Sequence, residues 1–367
     1  MARRLILCTL FAAALLPWLV SPRPLAAQAA DDNTKPVSFK TSDEVTLQGV
    51  LYKSKKGSNS PVVIFLHGTG DDPNKGDFRG LANLLTDKGF HVFRFDFRGH
   101  GQSKLINPTG FWKDPINSTY MAALSRKKPP VGKLDFSDYK QRTGYFPRLS
   151  DDIMAARIAM DQLNDNSEVN TSSVYFVGAK DSVNWAILYY AAEWSRPQKM
   201  PALLNQFPPL PPRPRSLLAP GDNSSALDIA GAVWLSPTRH PSVPVSAMQQ
   251  WIRDTPDLRE RTPMLFVYGQ NDARSKADAN VYMKEVLATR IPGSGLPTLP
   301  LTRMISIDKT SLSGAELLGK QLNTEKLIVD YLDALEKERK NLIRIPNRGF
   351  AVAPAINLPL FGVCRGQ

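Results

Sequence analysis

Cysteine is almost absent from this chain, with two among 367 residues. Cys8 lies in an apolar stretch at the start, so only Cys364 would remain once a leader there is removed. One thiol closes no internal disulfide, which excludes a fold held by covalent bridges. Histidine is scarce as well: His67, His91, His100 and His240 are the full set, and none follows Asp272. No apolar run is long enough to span a bilayer comfortably, since Leu5 to Val20 is short and broken by Pro17. Internal repeats and nucleic-acid-binding motifs are missing too. Acids are in the minority, 34 against 46 lysines and arginines, for a net charge of +12.

What is present begins with a leader pattern. Arg3 and Arg4 precede the apolar stretch, and Ala27-Gln28-Ala29 is a small-residue cleavage signal. Residues 1–29 therefore read as a secretory signal peptide, with a periplasmic, extracellular or cell-surface destination and no stable membrane span in the mature chain. Removing Arg3, Arg4 and Arg23 leaves a mature charge of +9. The positive residues are scattered apart from Arg126-Lys127-Lys128, and read as a solvated basic surface with no nucleic acid partner. With 42% apolar and 22% charged residues, the remainder is expected to fold as a soluble protein. Thirty prolines point to long ordered loops. Asn117, Asn170 and Asn223 each open an N-x-S/T sequon, which matters only in a glycosylating host.

Strands are predicted at Pro36–Lys40, Val45–Tyr52, Val62–Leu66, His91–Phe97, Val174–Val177, Ile229–Leu235, Met264–Tyr268 and, more weakly, Leu301–Ile307. Continuous apolar runs such as "VVIFL" suit strands buried on both faces. Helical spacing follows at Phe78, Leu81 and Leu85, after a Ser150 N-cap at Ile153 to Leu163, at Val183 to Tyr190, and at Ile328 to Leu335. This alternation implies a mostly parallel central sheet with helices on both faces, over residues 36–340. Two insertions interrupt it. Residues 104–145 are basic and aromatic and read either as a cap on the sheet's carboxyl edge or as a packed surface loop; residues 196–228 are proline-rich and read as a stiff loop. The tail 341–367 has no clear period.

Three motifs stand in order: "VVIFLHGTG" ending at a His-Gly loop, "FRFDFRGHGQS" after the next strand, and "VYFVGAKDS" as strand, turn and helix. Together they resemble the α/β-hydrolase superfamily, particularly its serine esterase, lipase and peptidase branches. The resemblance implies an α/β-hydrolase fold with a cap-like insertion. It also implies an oxyanion hole at His67, Gly68 and Thr69, completed by the backbone of Asp181. His67 and His100 read as structural residues of these loops. The triad positions are degenerate. Lys180 stands where the resemblance implies a nucleophilic serine, Asp272 stands at the acid, and Ser313 stands at the missing histidine, within about two residues of alignment.

Substitutes within the chain are poor. Ser182 comes two residues late, and Asp181 would need the turn to shift by one, placing Val183 where a small residue belongs. His240 precedes Asp272 and would need an unusual path to pair with it. Asp272 could also serve simply as a helix cap. Lysine is three carbons longer than serine, so the expectation is a Lys180–Asp272 ion pair that fills the site and keeps the ammonium charged. The leading reading is an exported hydrolase-fold protein without serine hydrolase activity, a pseudoenzyme that binds a ligand or protein at the former active site. An anionic small molecule is one such ligand. Two alternatives stand beside it: an ester or amide hydrolase with altered catalytic residues, and a surface-interaction module built on the fold. No cofactor is expected.

Overall fold

In the computed structural model the described residues are 33–204, 225–287, 302–339 and 343–345. The leader, residues 205–224 of the proline-rich insertion, Asn223, Cys364 and all of the tail except 343–345 lie outside them.

The chain opens with an antiparallel hairpin, β1 (Thr34–Lys40) and β2 (Val45–Tyr52). Then come β3 (Pro61–Leu66), α1 (Phe78–Lys88) and β4 (His91–Phe95). The insertion follows as a short β5 (Leu105–Ile106) and four short helices. These are α2 (Pro108–Phe111), α3 (Pro115–Tyr120), α4 (Ala122–Ser125) and α5 (Phe136–Tyr139). Next are α6 (Leu149–Asp165), β6 (Asn170–Ala179) and α7 (Ser182–Leu204). The chain continues through β7 (Ile229–Leu235), α8 (Val245–Asp254), α9 (Pro256–Arg261), β8 (Met264–Gly269) and α10 (Ala273–Val281). It closes with β9 (Arg303–Ile307) and α11 (Thr324–Glu338).

Among the described residues these strands form one sheet in the order β1-β2-β4-β3-β6-β7-β8-β9, with β5 added beside β2. Pairing is antiparallel as far as β4 and parallel from β3 to β9. Side chains alternate across it. Val62, Ile64 and Leu66 of β3 join a core with α6, α7 and α8, while Val63 and Phe65 join a second core with α1 and α11. Both faces are therefore covered, and all six residues of β3 are buried. No helix among the described residues is long and apolar enough to cross a membrane.

The register matters for the site. Leu66 lies beside Gly178, Ala179 beside Leu235, and Gly269 beside Ile307. The loops after β3, β6, β7, β8 and β9 thus emerge together at one edge. Two local expectations are corrected. Residues 196–204, read as the start of a stiff loop, continue α7. Ser150 is not a cap: a 3-10 turn over Thr143–Arg148 runs straight into α6, and the Ser150 hydroxyl donates to the Pro147 carbonyl at 2.7 Å. The sequons at Asn117 and Asn170 are buried, at 0% and 4% exposure, so neither side chain is open to a modifying enzyme.

The insertion is clamped to the sheet by buried charge. Arg98, after β4, pairs with Asp43 and Asp152 at 2.8 Å each and donates to the Tyr145 hydroxyl at 3.0 Å. Asn117 of α3 donates to the same Asp43 carboxylate at 2.9 Å, and Arg148 joins Asp151 to Asp114. Burial pushes the Asp43 carboxyl up, but Arg98 and Arg148 outweigh it and hold the group well below the usual carboxylate range. Removing one member strands the rest without solvent. Arg98→Met should cost about 3–5 kcal/mol in urea unfolding and expose residues 104–145 to protease. A loss under about 1 kcal/mol would mean that this cluster does not hold the insertion.

Candidate functional site

The turn between β6 and α7 places Lys180 at φ 53, a left-handed conformation uncommon for a residue with a side chain. Neighbouring strands hold it there. The Lys180 N–H donates to the Leu235 carbonyl at 2.9 Å, and the Lys180 carbonyl accepts from the Thr238 N–H at 3.2 Å. Ser182 donates its hydroxyl back to the Ala179 carbonyl at 2.8 Å and is wholly buried, so it closes the turn and faces no substrate. Because the positive φ falls on Lys180, the turn keeps its register and Asp181 is not at its tip.

The Lys180 ammonium bonds Asp71 at 2.9 Å, in the loop after β3. The expected pair with Asp272 does not form. Asp272 is the N-cap of α10, and its Oδ1 accepts from the Ser275 N–H at 3.1 Å; its Oδ2 is buried with no partner. The lysine stem instead runs between two glycines. A Cβ on Gly314 would meet Lys180 Cγ at 3.0 Å, and one on Gly68 would meet Asp71 Oδ2 at 2.7 Å and Lys180 Cδ at 3.2 Å. Gly314 follows Ser313, so the turn after β9 does reach the lysine, while the Ser313 side chain makes no capping hydrogen bond. Lys75 and Glu316 bridge the same two loops at 3.0 Å.

Asp181 settles the fate of the backbone donors. Its carboxylate accepts from the Thr69 N–H at 2.8 Å. Burial pushes the Asp181 carboxyl up to about 6, against hydrogen bonds from Thr69 and from its own N–H that favour the ionised form. The Thr69 N–H, which the resemblance assigns to an oxyanion hole, is thus engaged by the chain's own carboxylate. Thr69 is held in turn by Trp185, whose indole N–H donates to the Thr69 hydroxyl at 3.1 Å. Lys180 and Thr69, the two groups expected to attract an anionic ligand, each hold an aspartate of the chain itself.

The histidines serve the backbone. His67 Nε2 accepts from the Phe97 N–H at 3.0 Å, which leaves Nδ1–H to donate to the Gly68 carbonyl at 2.9 Å. His100 bonds the Gly70 N–H and the Arg98 carbonyl in the same way. Burial pushes His67 down to about 3, so it stays neutral. His240 packs on Phe146 and Trp185, with ring centroids 4.3 and 5.0 Å away. Its Nδ1 is engaged by Ser242 at 2.6 Å, and burial lowers it to about 4. Asp71 is the residue that sequence reasoning missed. Its only signal was an acid three residues beyond His67-Gly68, on the edge where Lys180 emerges.

A family model described as alpha/beta hydrolase fold matches residues 61–165, the span from β3 through α6. The chain has an α/β-hydrolase fold. Solved structures similar to this hydrolase fold include dienelactone hydrolase from Anabaena variabilis, at 14% identity and TM-score 0.44, covering 83% of this chain and 98% of that one. Est1E from Butyrivibrio proteoclasticus with ferulic acid bound is similar at 13% and 0.46, over 82% and 98%. An esterase from Pyrococcus furiosus is similar at 14% and 0.46, over 83% and 90%. No curated protein compared with the chain matches it.

The raised pKa of Asp181 has a definite sign. An acid whose folded pKa lies above its unfolded value of about 3.9 holds its proton longer when folded, so stability falls as pH rises from about 4 to about 6. Asp181→Asn keeps an oxygen for the Thr69 N–H and removes that proton. Its stability relative to the parent should rise across this window in urea titrations at stepped pH. A constant difference would mean that Asp181 titrates normally.

Proposed function

We propose that this chain is a hydrolase-fold protein without serine hydrolase chemistry, whose former active site is closed by its own charged side chains. The carrying observation is the Asp181 carboxylate on the Thr69 N–H, the donor that would otherwise stabilise an acyl-transfer oxyanion. The lysine at the elbow supports the same reading. A lysine is nucleophilic only when its ammonium is discharged, and this one has a carboxylate 2.9 Å away. The leader pattern further supports export, which mass spectrometry of the mature N-terminus would test.

The wild-type protein should take no fluorophosphonate label and turn over no p-nitrophenyl ester. Label on one mapped serine would instead favour an active hydrolase with altered residues. A rebuilt site tests the reading more sharply. Lys180→Ser with Ser313→His returns a serine and a histidine to the positions that the resemblance assigns to nucleophile and base, yet should remain unlabelled while Asp181 fills the oxyanion position. Adding Asp181→Ala should raise labelling at least about 100-fold, the scale of one oxyanion donor. Equal labelling of the double and triple variants would mean that Asp181 is not the obstruction.

A further inference from the structure

The insertion has an outer face that the closed site does not explain. All three of its carboxylates are consumed internally. Asp114 pairs with Arg148, Asp135 pairs with Lys104 at 2.6 Å, and Asp138 accepts from the Asp135 N–H at 2.8 Å. Lys113, Arg126, Lys127, Lys128 and Lys133, by contrast, are exposed and have no acidic partner among the described residues.

These cations share one strap. Lys133 bridges Leu105 of β5, and the Ile106 N–H donates to the Gly132 carbonyl at 3.1 Å. The Trp112 indole N–H donates to the Val131 carbonyl at 3.0 Å, which brings the neighbouring Lys113 to the same strap. Arg126 to Lys128 lead into it through Pro129 and Pro130, both exposed. Leu105 is 51% exposed, one of the few large apolar side chains left to solvent among the described residues.

We propose that this strap docks the protein onto an anionic lipid surface. Unpaired cations are drawn to headgroup phosphates, and a leucine among them has an apolar layer to enter. Nucleic acid fits less well. A single strand stacks its bases on exposed aromatic platforms, and here Phe111, Tyr139 and Tyr145 are wholly buried, while a duplex offers no apolar layer for Leu105 to enter. The proposal is independent of the closed site and of export.

The test is co-sedimentation of the full chain with vesicles of phosphatidylglycerol and phosphatidylcholine in equal parts, against pure phosphatidylcholine. Binding should be confined to the anionic vesicles and weaken as salt rises. Arg126→Gln, Lys127→Gln, Lys128→Gln and Lys133→Gln together should lower it at least about tenfold with the urea midpoint unchanged. Leu105→Ser should give a smaller loss that persists at high salt. Equal binding to neutral vesicles, or an unaffected quadruple variant, would overturn the proposal. So would retention on duplex DNA with no affinity for either vesicle, which would assign the strap to nucleic acid.

Discussion

The left-handed backbone of Lys180 fixes the geometry from which the rest of the site follows. Two hydrogen bonds to the segment around β7 pin the residue on either side, and the Ser182 hydroxyl closes the turn below it. Such a conformation costs a residue with a side chain on the order of 1–2 kcal/mol, and the sheet supplies the restraint. A side chain held there must project from the sheet's carboxyl edge. For lysine the path is long, and it is shaped by what stands aside. Gly68 and Gly314 leave the channel along which the stem lies, and Asp71 waits at its end.

The same turn sends Asp181 the other way, onto the Thr69 N–H. Two adjacent residues of one turn thus engage two neighbouring loop groups, Lys180 the Asp71 carboxylate and Asp181 the Thr69 N–H. His67 and His100 are spent on holding the two glycine loops in shape. The two cations of this region are each paired, Lys180 with Asp71 and Lys75 with Glu316, while the Asp181 and Asp272 carboxylates accept backbone N–H groups, which leaves little field to attract an anionic substrate. On the insertion, by contrast, Lys113, Arg126, Lys127, Lys128 and Lys133 have no acidic partner among the described residues.

The central sheet was legible because its strands are continuous apolar runs, and Ile229–Leu235 has the bounds expected; Val45–Tyr52 has them too, read from the alternation of Val45, Leu47 and Leu51. β6 is longer than its apolar segment, since Asn170 to Ser173 are polar yet buried. β5, with two residues, carries no period to read. Helices α8 and α9 lie in a stretch given no assignment, although Met248, Trp251 and Ile252 share a buried face. Within the site, the elbow and the acid position stood out as motifs. The partner of Lys180 did not, because it depends on which way a four-carbon stem turns among three loops. Asp272 was a plausible partner by topology, but the cap it supplies to α10 takes one of its oxygens.

The central claim is that Lys180 is held by Asp71 within a closed elbow, and a double-mutant cycle tests it directly. Urea unfolding of Lys180→Met, Asp71→Asn and their combination should give a coupling of about 1 kcal/mol, the upper range for a pair still partly exposed. The matching cycle of Lys180→Met with Asp272→Asn should be additive within about 0.3 kcal/mol. Coupling of Lys180 to Asp272 with none to Asp71 would contradict the account.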